Sequence, residues 1–452
     1  VTAEQGNESL SRLLVQSGWS RKALARAVRD EAAARGLNLA CDHTAVGRWL
    51  GGMVPRRETA EVLAYVLGRR LRLSLSLADL GMPDRAPLDA GLGATYPPSA
   101  TAAAETVSRL WAADLDGVTG IITAPVEAGL WADASLSWLV RPGEDEVPER
   151  RTGRLVGLAD VEAVEATTQM FDRLDNSFGG QHARPALVQY LRSDVEPLLT
   201  GRYSEPVGRR LFTAAAQACL LLAWMSYDSG SHGLAQRYFA QGLRLAQTGG
   251  DVLLAASILD AMSHQATFLG RFHHAANLAR AAQAGTRDRN APRLQAHFLA
   301  MEARARAGAG EREAVIRLLG RASEVHAKPG GDDPEWISYF DEPELAAEHG
   351  HCFRDLGIPS HGSDYASRAL SPNGSSPRSD FFVLMVLGQT QVDRGDVEEG
   401  CATLTRAAEL RRRLKSARCD DYEKRVQASL APHLRARPVR ELYEATGWAA
   451  AA

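Results

Sequence analysis

The sequence predicts an all-α fold, with a compact N-terminal helical domain followed by a long array of paired helices. Apolar residues recur at i, i+3 and i+4 along most of the 452 residues. No segment alternates apolar and polar residues for the length of a half-buried strand. A small-residue turn followed by an amphipathic helix returns about every 40 residues through the C-terminal two thirds.

The head comes first. Leu10, Leu13 and Leu14 share one face of a short helix that ends at Gly18. Ser20 is placed to cap a second helix, whose Leu24, Ala27, Val28 and Ala32 fall on one side and which Gly36 ends. The third helix, opened by Asp42, sends Val46, Trp49 and Leu50 inward. His43, Thr44, Gly47 and Arg48 then form the opposite face. A helix enters the DNA major groove only if that face carries donors for base edges. Arg48 can span two acceptors of a guanine, and Thr44 and His43 lie near the helix N-terminus, where phosphate is favoured. Gly51 and Gly52 stop the helix, Arg56 and Arg57 add cations for the backbone, and a helix from Glu58 to Leu67 closes the core through Val62, Leu63, Val66 and Leu67. The competing reading of the same pattern is a small helical domain with an ordinary solvated face.

Residues 8–82 are thus read as the head, and the Pro/Gly-rich residues 83–100 as a linker. Residues 101–153 form a helical connecting segment with Trp111, Trp131 and Trp138, and 154–447 a repeat domain. Its units start at Ser231, Gly270, Gly310, Gly357 and Gly395. Ala235, Ala275 and Ala314 mark the register, and a further helix precedes each unit, as at 251–268 and 380–393. Paired helices at a fixed period describe a solenoid.

The run from Asp42 to Pro55, DHTAVGRWLGGMVP, resembles the Thr-x-Val-x-Arg-Trp-x-x-Gly-x-x-Pro stretch of XRE-type, lambda-repressor-like helix-turn-helix regulators. AEVLAYVLGRRL with ADLGM resembles the closing helix of that group. GLAQRYFAQGLRLAQTGGD, MSHQATFLGR, PEWISYFDEPELAAEHGHCFRDLG and SARCDDYEKRV are similar to actinobacterial regulators that join such a head to tetratricopeptide-like repeats, the NsdA-like regulators of differentiation and antibiotic production. The resemblance implies a sequence-specific transcription regulator, working as a homodimer on a double-stranded DNA operator. Ser20, Arg21, Lys22, Asp42, His43, Thr44, Gly47, Arg48, Arg56 and Arg57 are the residues expected at the DNA. The chain departs from the pattern in having a longer second helix, with LNLA between it and Cys41, so the turn is not the tight link of the group.

Composition agrees with a soluble regulator. Apolar residues make up 45% and charged residues 24%, and no apolar run reaches membrane-span length. The polar, acidic N-terminus does not read as a signal peptide. Residues 1–85 carry 13 Lys+Arg against 9 Asp+Glu, whereas the remainder is acidic, a charge split expected of a DNA-binding head on a separate sensory body. Five scattered cysteines without a CxxC fit a reducing cytoplasm. Four of the 52 Lys+Arg are Lys, and this Arg and Ala bias fits a GC-rich genome.

No cofactor motif is present: there is no P-loop, GxGxxG after a strand, HExxH or GxSxG. His349 and His351 beside Cys352, and His273–His274, do not converge as metal ligands on one face and read as packing residues. For a small-molecule or peptide effector the candidates are Trp224, Asp228, Tyr238, His264, Trp336 and Asp341. Packing between repeats, with the aspartates capping helices, is the competing role. A protein-interaction scaffold without DNA binding is the second reading of the whole chain, and an enzyme built in the repeat groove the third.

Overall fold

The computed structural model describes residues 7–34, 37, 39, 41–55, 57–71, 73, 75, 79–82, 91–140, 147–148, 153–370 and 376–448. It is all-helical, and the described residues contain no strand, only an isolated bridge between Leu155 and Arg202. The chain divides into two compact units, residues 1–87 and 88–452. No described helix is long and apolar enough to cross a membrane.

The first unit holds α1 (Glu8–Ser17), α2 (Arg21–Ala34), α3 (His43–Leu50) and α4 (Arg57–Leu71). Asn7 caps α1 by accepting from the Leu10 N–H at 2.9 Å, and Gly18 ends it at φ 65°. The Ala23 N–H donates to Ser20 Oγ (3.2 Å) and the Ala45 N–H to Asp42 Oδ1 (2.8 Å), so both expected caps form. One core gathers Leu10, Leu24, Val28, Val46, Trp49, Leu63 and Leu67, closed by Leu80 and Met82. Leu50 is half-buried and packs against this core, with Asn7 beside that end of α3. The Asn7 N–H donates to the Leu50 carbonyl (2.8 Å) and its side chain to the Leu80 carbonyl (2.9 Å). The fourth helix runs past Leu67 to Leu71, and Arg70 anchors its end by donating to the Ser17 carbonyl at 3.1 Å. Arg29 reaches the Cys41 carbonyl at 2.7 Å, which ties the segment between α2 and α3 to α2.

The second unit begins with α5 (Ala100–Leu115), α6 (Thr119–Ile122) and α7 (Ala128–Val140). Then come α8 (Leu158–Phe178), α9 (Gly180–Tyr190) with a π turn at its end, and α10 (Glu196–Leu199). The pairs are α11 (Glu205–Asp228) with α12 (His232–Gly249), α13 (Val252–Phe268) with α14 (Phe272–Gly285), α15 (Pro292–Gly308) with α16 (Arg312–His326), α17 (Glu342–Asp355) with α18 (Pro359–Ala369), and α19 (Pro377–Arg394) with α20 (Val397–Arg411). α21 (Ala417–Leu430) and α22 (Arg437–Thr446) follow. Residues 91–99 pack within this unit: Leu92 is buried, and Arg237 donates to its carbonyl at 3.0 Å. Trp111, Trp131 and Trp138 lie in the same core as α11 to α15, so α5 and α7 are part of the repeat body's packing.

The turn inside each pair carries a glycine at positive φ: Gly230, Gly270, Gly310, Gly357 and Gly395. Five residues on stand Ala235, Ala275, Val315, Gly362 and Gly400, all buried where the second helix crosses the first. The register residue of the third pair is therefore Val315, and Ala314 beside it is only half-buried.

The first helices of the pairs close on themselves. α8 packs on α11, α11 on α13, α13 on α15, α15 on α17, α17 on α19, and α19 returns to α8. Backbone bonds seal the joint: the Lys415 N–H donates to the Phe178 carbonyl at 2.8 Å.

Candidate functional site

In α3 the apolar and polar faces separate cleanly. Val46 is fully buried and Trp49 nearly so, while His43, Thr44 and Arg48 are exposed and Gly47 is half-buried. Asp42 is committed to holding the helix start: burial is slight, and the Ala45 N–H and Thr44 hydroxyl keep its carboxyl below the ordinary range. Arg48 stands in the last turn of α3, exposed. Ser20, Arg21 and Lys22 are exposed at the start of α2. A Cβ added to Gly47 would lie 3.5 Å from Arg21 Nη1, so the start of α2 and the outer face of α3 form one surface. Arg56 and the side chain of Arg57 lie outside the described residues.

The six residues proposed for an effector do not form one site. Asp228 is fully buried at the joint of the ring. The Gly180 N–H donates to its Oδ2 (2.9 Å), and Ser416 Oγ (2.9 Å) and Arg378 Nη2 (3.2 Å) donate to its Oδ1. A Cβ on Gly180 would stand 2.8 Å from the Asp228 Cβ, so glycine is required for that approach. Burial opposes the charge on Asp228, but Arg378 and Arg418 outweigh it and hold the carboxyl low. Tyr238 is also fully buried and donates to Asp114 Oδ2 at 2.7 Å, beside Arg184. Trp224 and His264 are half-buried neighbours, ring edge to ring face at 5.3 Å, and His264 accepts or donates at Tyr227 Oη, 3.1 Å away. Asp341 caps α17 through the Glu344 N–H at 3.1 Å, and Trp336 is half-buried in the preceding turn.

Other charged residues come together that sequence patterns did not single out. Arg378 bridges Asp228 and Asp175, with Asp175 Oδ2 at 2.6 Å from Nη1. Burial pushes the Asp175 carboxyl up to about 6 despite Arg378. α21 sends Arg418 over the rings of Tyr227 (4.8 Å) and Phe382 (4.6 Å). Its Tyr422 lies beside His351 (5.9 Å) and under Arg354 (5.3 Å). Arg304 pairs with Glu348 at 3.0 Å, and Asp260 with His297 at 2.7 Å. No group of three or more His, Cys, Asp or Glu able to hold a metal ion occurs among the described residues. The five cysteines are buried thiols.

The chain is thus an all-helical protein of two units, with an exposed polar helix face on one and a charged interior in the other. Residues 10–83 match a family model described as the SP15 N-terminal domain, a region that spans the first unit. No curated protein and no solved structure matches the chain.

Proposed function

We propose that the chain is a sequence-specific DNA-binding transcription regulator, with α2–α3 as a helix-turn-helix of the XRE type and the paired helices as a tetratricopeptide-like effector and dimerisation domain. The observation that supports this is the face of α3: apolar residues are spent on the core, while His43, Thr44 and Arg48 project outward beside a glycine and the exposed Arg21 and Lys22. Phosphate contacts from the start of α2 would set register, and Arg48 would read a base edge. The segment linking α2 and α3, residues 35–42, is longer than the usual tight turn, and the Arg29 bond to Cys41 compensates by fixing where α3 begins. Operator dimers, with half-sites one or more helical turns apart, follow from the usual geometry of this motif. The controlled genes, by resemblance, belong to development and secondary metabolism.

Mapping of the full chain on genomic DNA supplies the operator. Arg48→Ala is then titrated against it at fixed salt, with an expected loss of about 1–3 kcal/mol and relaxed preference at one base pair. Unchanged affinity removes Arg48 from the interface. Absence of any sequence-specific site removes the regulator reading.

A further inference from the structure

The interior of the helix ring holds guanidinium groups that each keep one N–H donor without a partner among the described residues. Arg304 on α15, Arg354 on α17 and Arg418 on α21 are each more than nine-tenths buried, as is His351 on α17. Arg304 Nε, Arg354 Nη1, Arg418 Nε and His351 Nδ1 have no hydrogen-bond partner among the described residues. Three of the four residues gather about Tyr422: Arg354 lies over its ring at 5.3 Å, His351 meets it edge-on at 5.9 Å, and Arg418 lies over Phe382, whose ring is 4.8 Å from that of Tyr422; Arg425 adds a further cation at 5.9 Å. Burial alone would push this phenol up. Arg304, Arg354, Arg418 and Arg425 outweigh burial and bring it down, which reports a positive potential at that point.

Internal carboxylates do not cancel this potential donor by donor. Glu348 takes Arg304 Nη1, Asp355 takes Arg354 Nε and Nη2, and Asp228 is shared between Arg378 and Arg418. One nitrogen of each remaining fork is left over. A buried N–H group without a partner is costly to leave unpaired, and an arginine fork matches the geometry of an oxyanion.

We infer that the ring interior binds a small oxyanion, a carboxylate or phosphate group, through Arg304, Arg354, Arg418 and His351, beside Tyr422. α21 supplies Arg418 and Tyr422 and contacts α11, α17 and α19, so the occupant is a small molecule rather than an extended chain. This deepens the proposal of an effector domain by giving the effector a chemical class. It is tested without DNA, so the two readings fail separately.

The full chain is titrated calorimetrically with inorganic phosphate and, separately, acetate, in a sodium chloride background that screens exposed sites. Saturable binding of one anion per chain is expected, and the tighter probe assigns the headgroup as phosphate or carboxylate. Arg304→Gln combined with Glu348→Gln removes a donor together with its counter-charge, and is expected to weaken binding about 10- to 100-fold. Arg418→Lys keeps the charge and loses the fork, with a smaller weakening in the same direction. Arg317→Gln, on the exposed side of α16, leaves binding unchanged. Circular dichroism checks that each variant folds. Absence of saturable binding by either probe overturns the inference, as does unaltered binding in both folded interior variants.

Discussion

Asp228→Asn tests whether the joint of the ring depends on a charge. Both carboxylate oxygens of Asp228 face donors: Oδ2 takes the Gly180 N–H, and Oδ1 takes Ser416 Oγ and Arg378. An asparagine must point its amide NH2 at one of these, whichever way it is turned. It also leaves Arg378 and Arg418 with less counter-charge in a fully buried place. Breaking a buried pair on one side costs about 3–5 kcal/mol. Asp175→Asn is the internal comparison. Only Oδ2 of Asp175 meets Arg378, and Oδ1 has no partner among the described residues, so an amide fits with its NH2 on the idle side. Its expected cost is about 1–2 kcal/mol. The two also differ with pH. The folded Asp175 carboxyl titrates near 6, above its unfolded value, so burying its charge costs stability above that pH and the cost is relieved as pH falls toward 4. Urea unfolding of the full chain at pH 7 and pH 5, followed by circular dichroism, measures all of this. An Asp228→Asn variant within about 1 kcal/mol of the parent refutes the reasoning, as does Asp175→Asn costing as much.

Gly47→Ala separates stability from DNA approach: the helix interior gains up to about 1 kcal/mol from alanine and the new Cβ meets only an ordinary contact with Arg21, so unfolding moves to higher urea while operator affinity falls. A loss of stability would show that Gly47 serves the fold. His349, buried beside Tyr365 and Ser323, is pushed down to about 4, chiefly by burial and secondly by Arg368. Its folded value lies below the unfolded one, so its contribution is complete above about pH 6.5 and is lost as pH falls toward 4. His349→Gln is expected to flatten the stability profile over that window by about 3 kcal/mol relative to the parent, and parallel profiles would count against it.

Local features were legible in the sequence because their causes are local. Ser20 and Asp42 stand three residues before the N–H groups they accept, and Val46 and Trp49 follow helical spacing. The recurring turns were visible for the same reason, since a positive φ selects glycine at each. The repeat register slipped by one at Ala314 because small residues are common in these helices, so alanine alone does not mark the crossing point. Asp228 was visible as a notable residue but not as a joint: its partners Gly180, Arg378 and Ser416 lie 48, 150 and 188 positions away. Tyr238 and Asp114 are likewise 124 apart, and no periodicity reports such a pairing. The donors around Tyr422 come from three helices and were invisible for that reason.

Because α19 comes back to α8, the body has no loose last repeat. A linear stack of helical pairs melts from its tips, with each unit answering only to its neighbours. A hoop has no tips to fray, and opening it breaks either the Asp175–Arg378–Asp228 clasp or one of the inter-helix seams. Deleting a single pair would leave the survivors unable to meet, so pieces of this body should not behave as smaller versions of it, and its denaturation should be one sharp event.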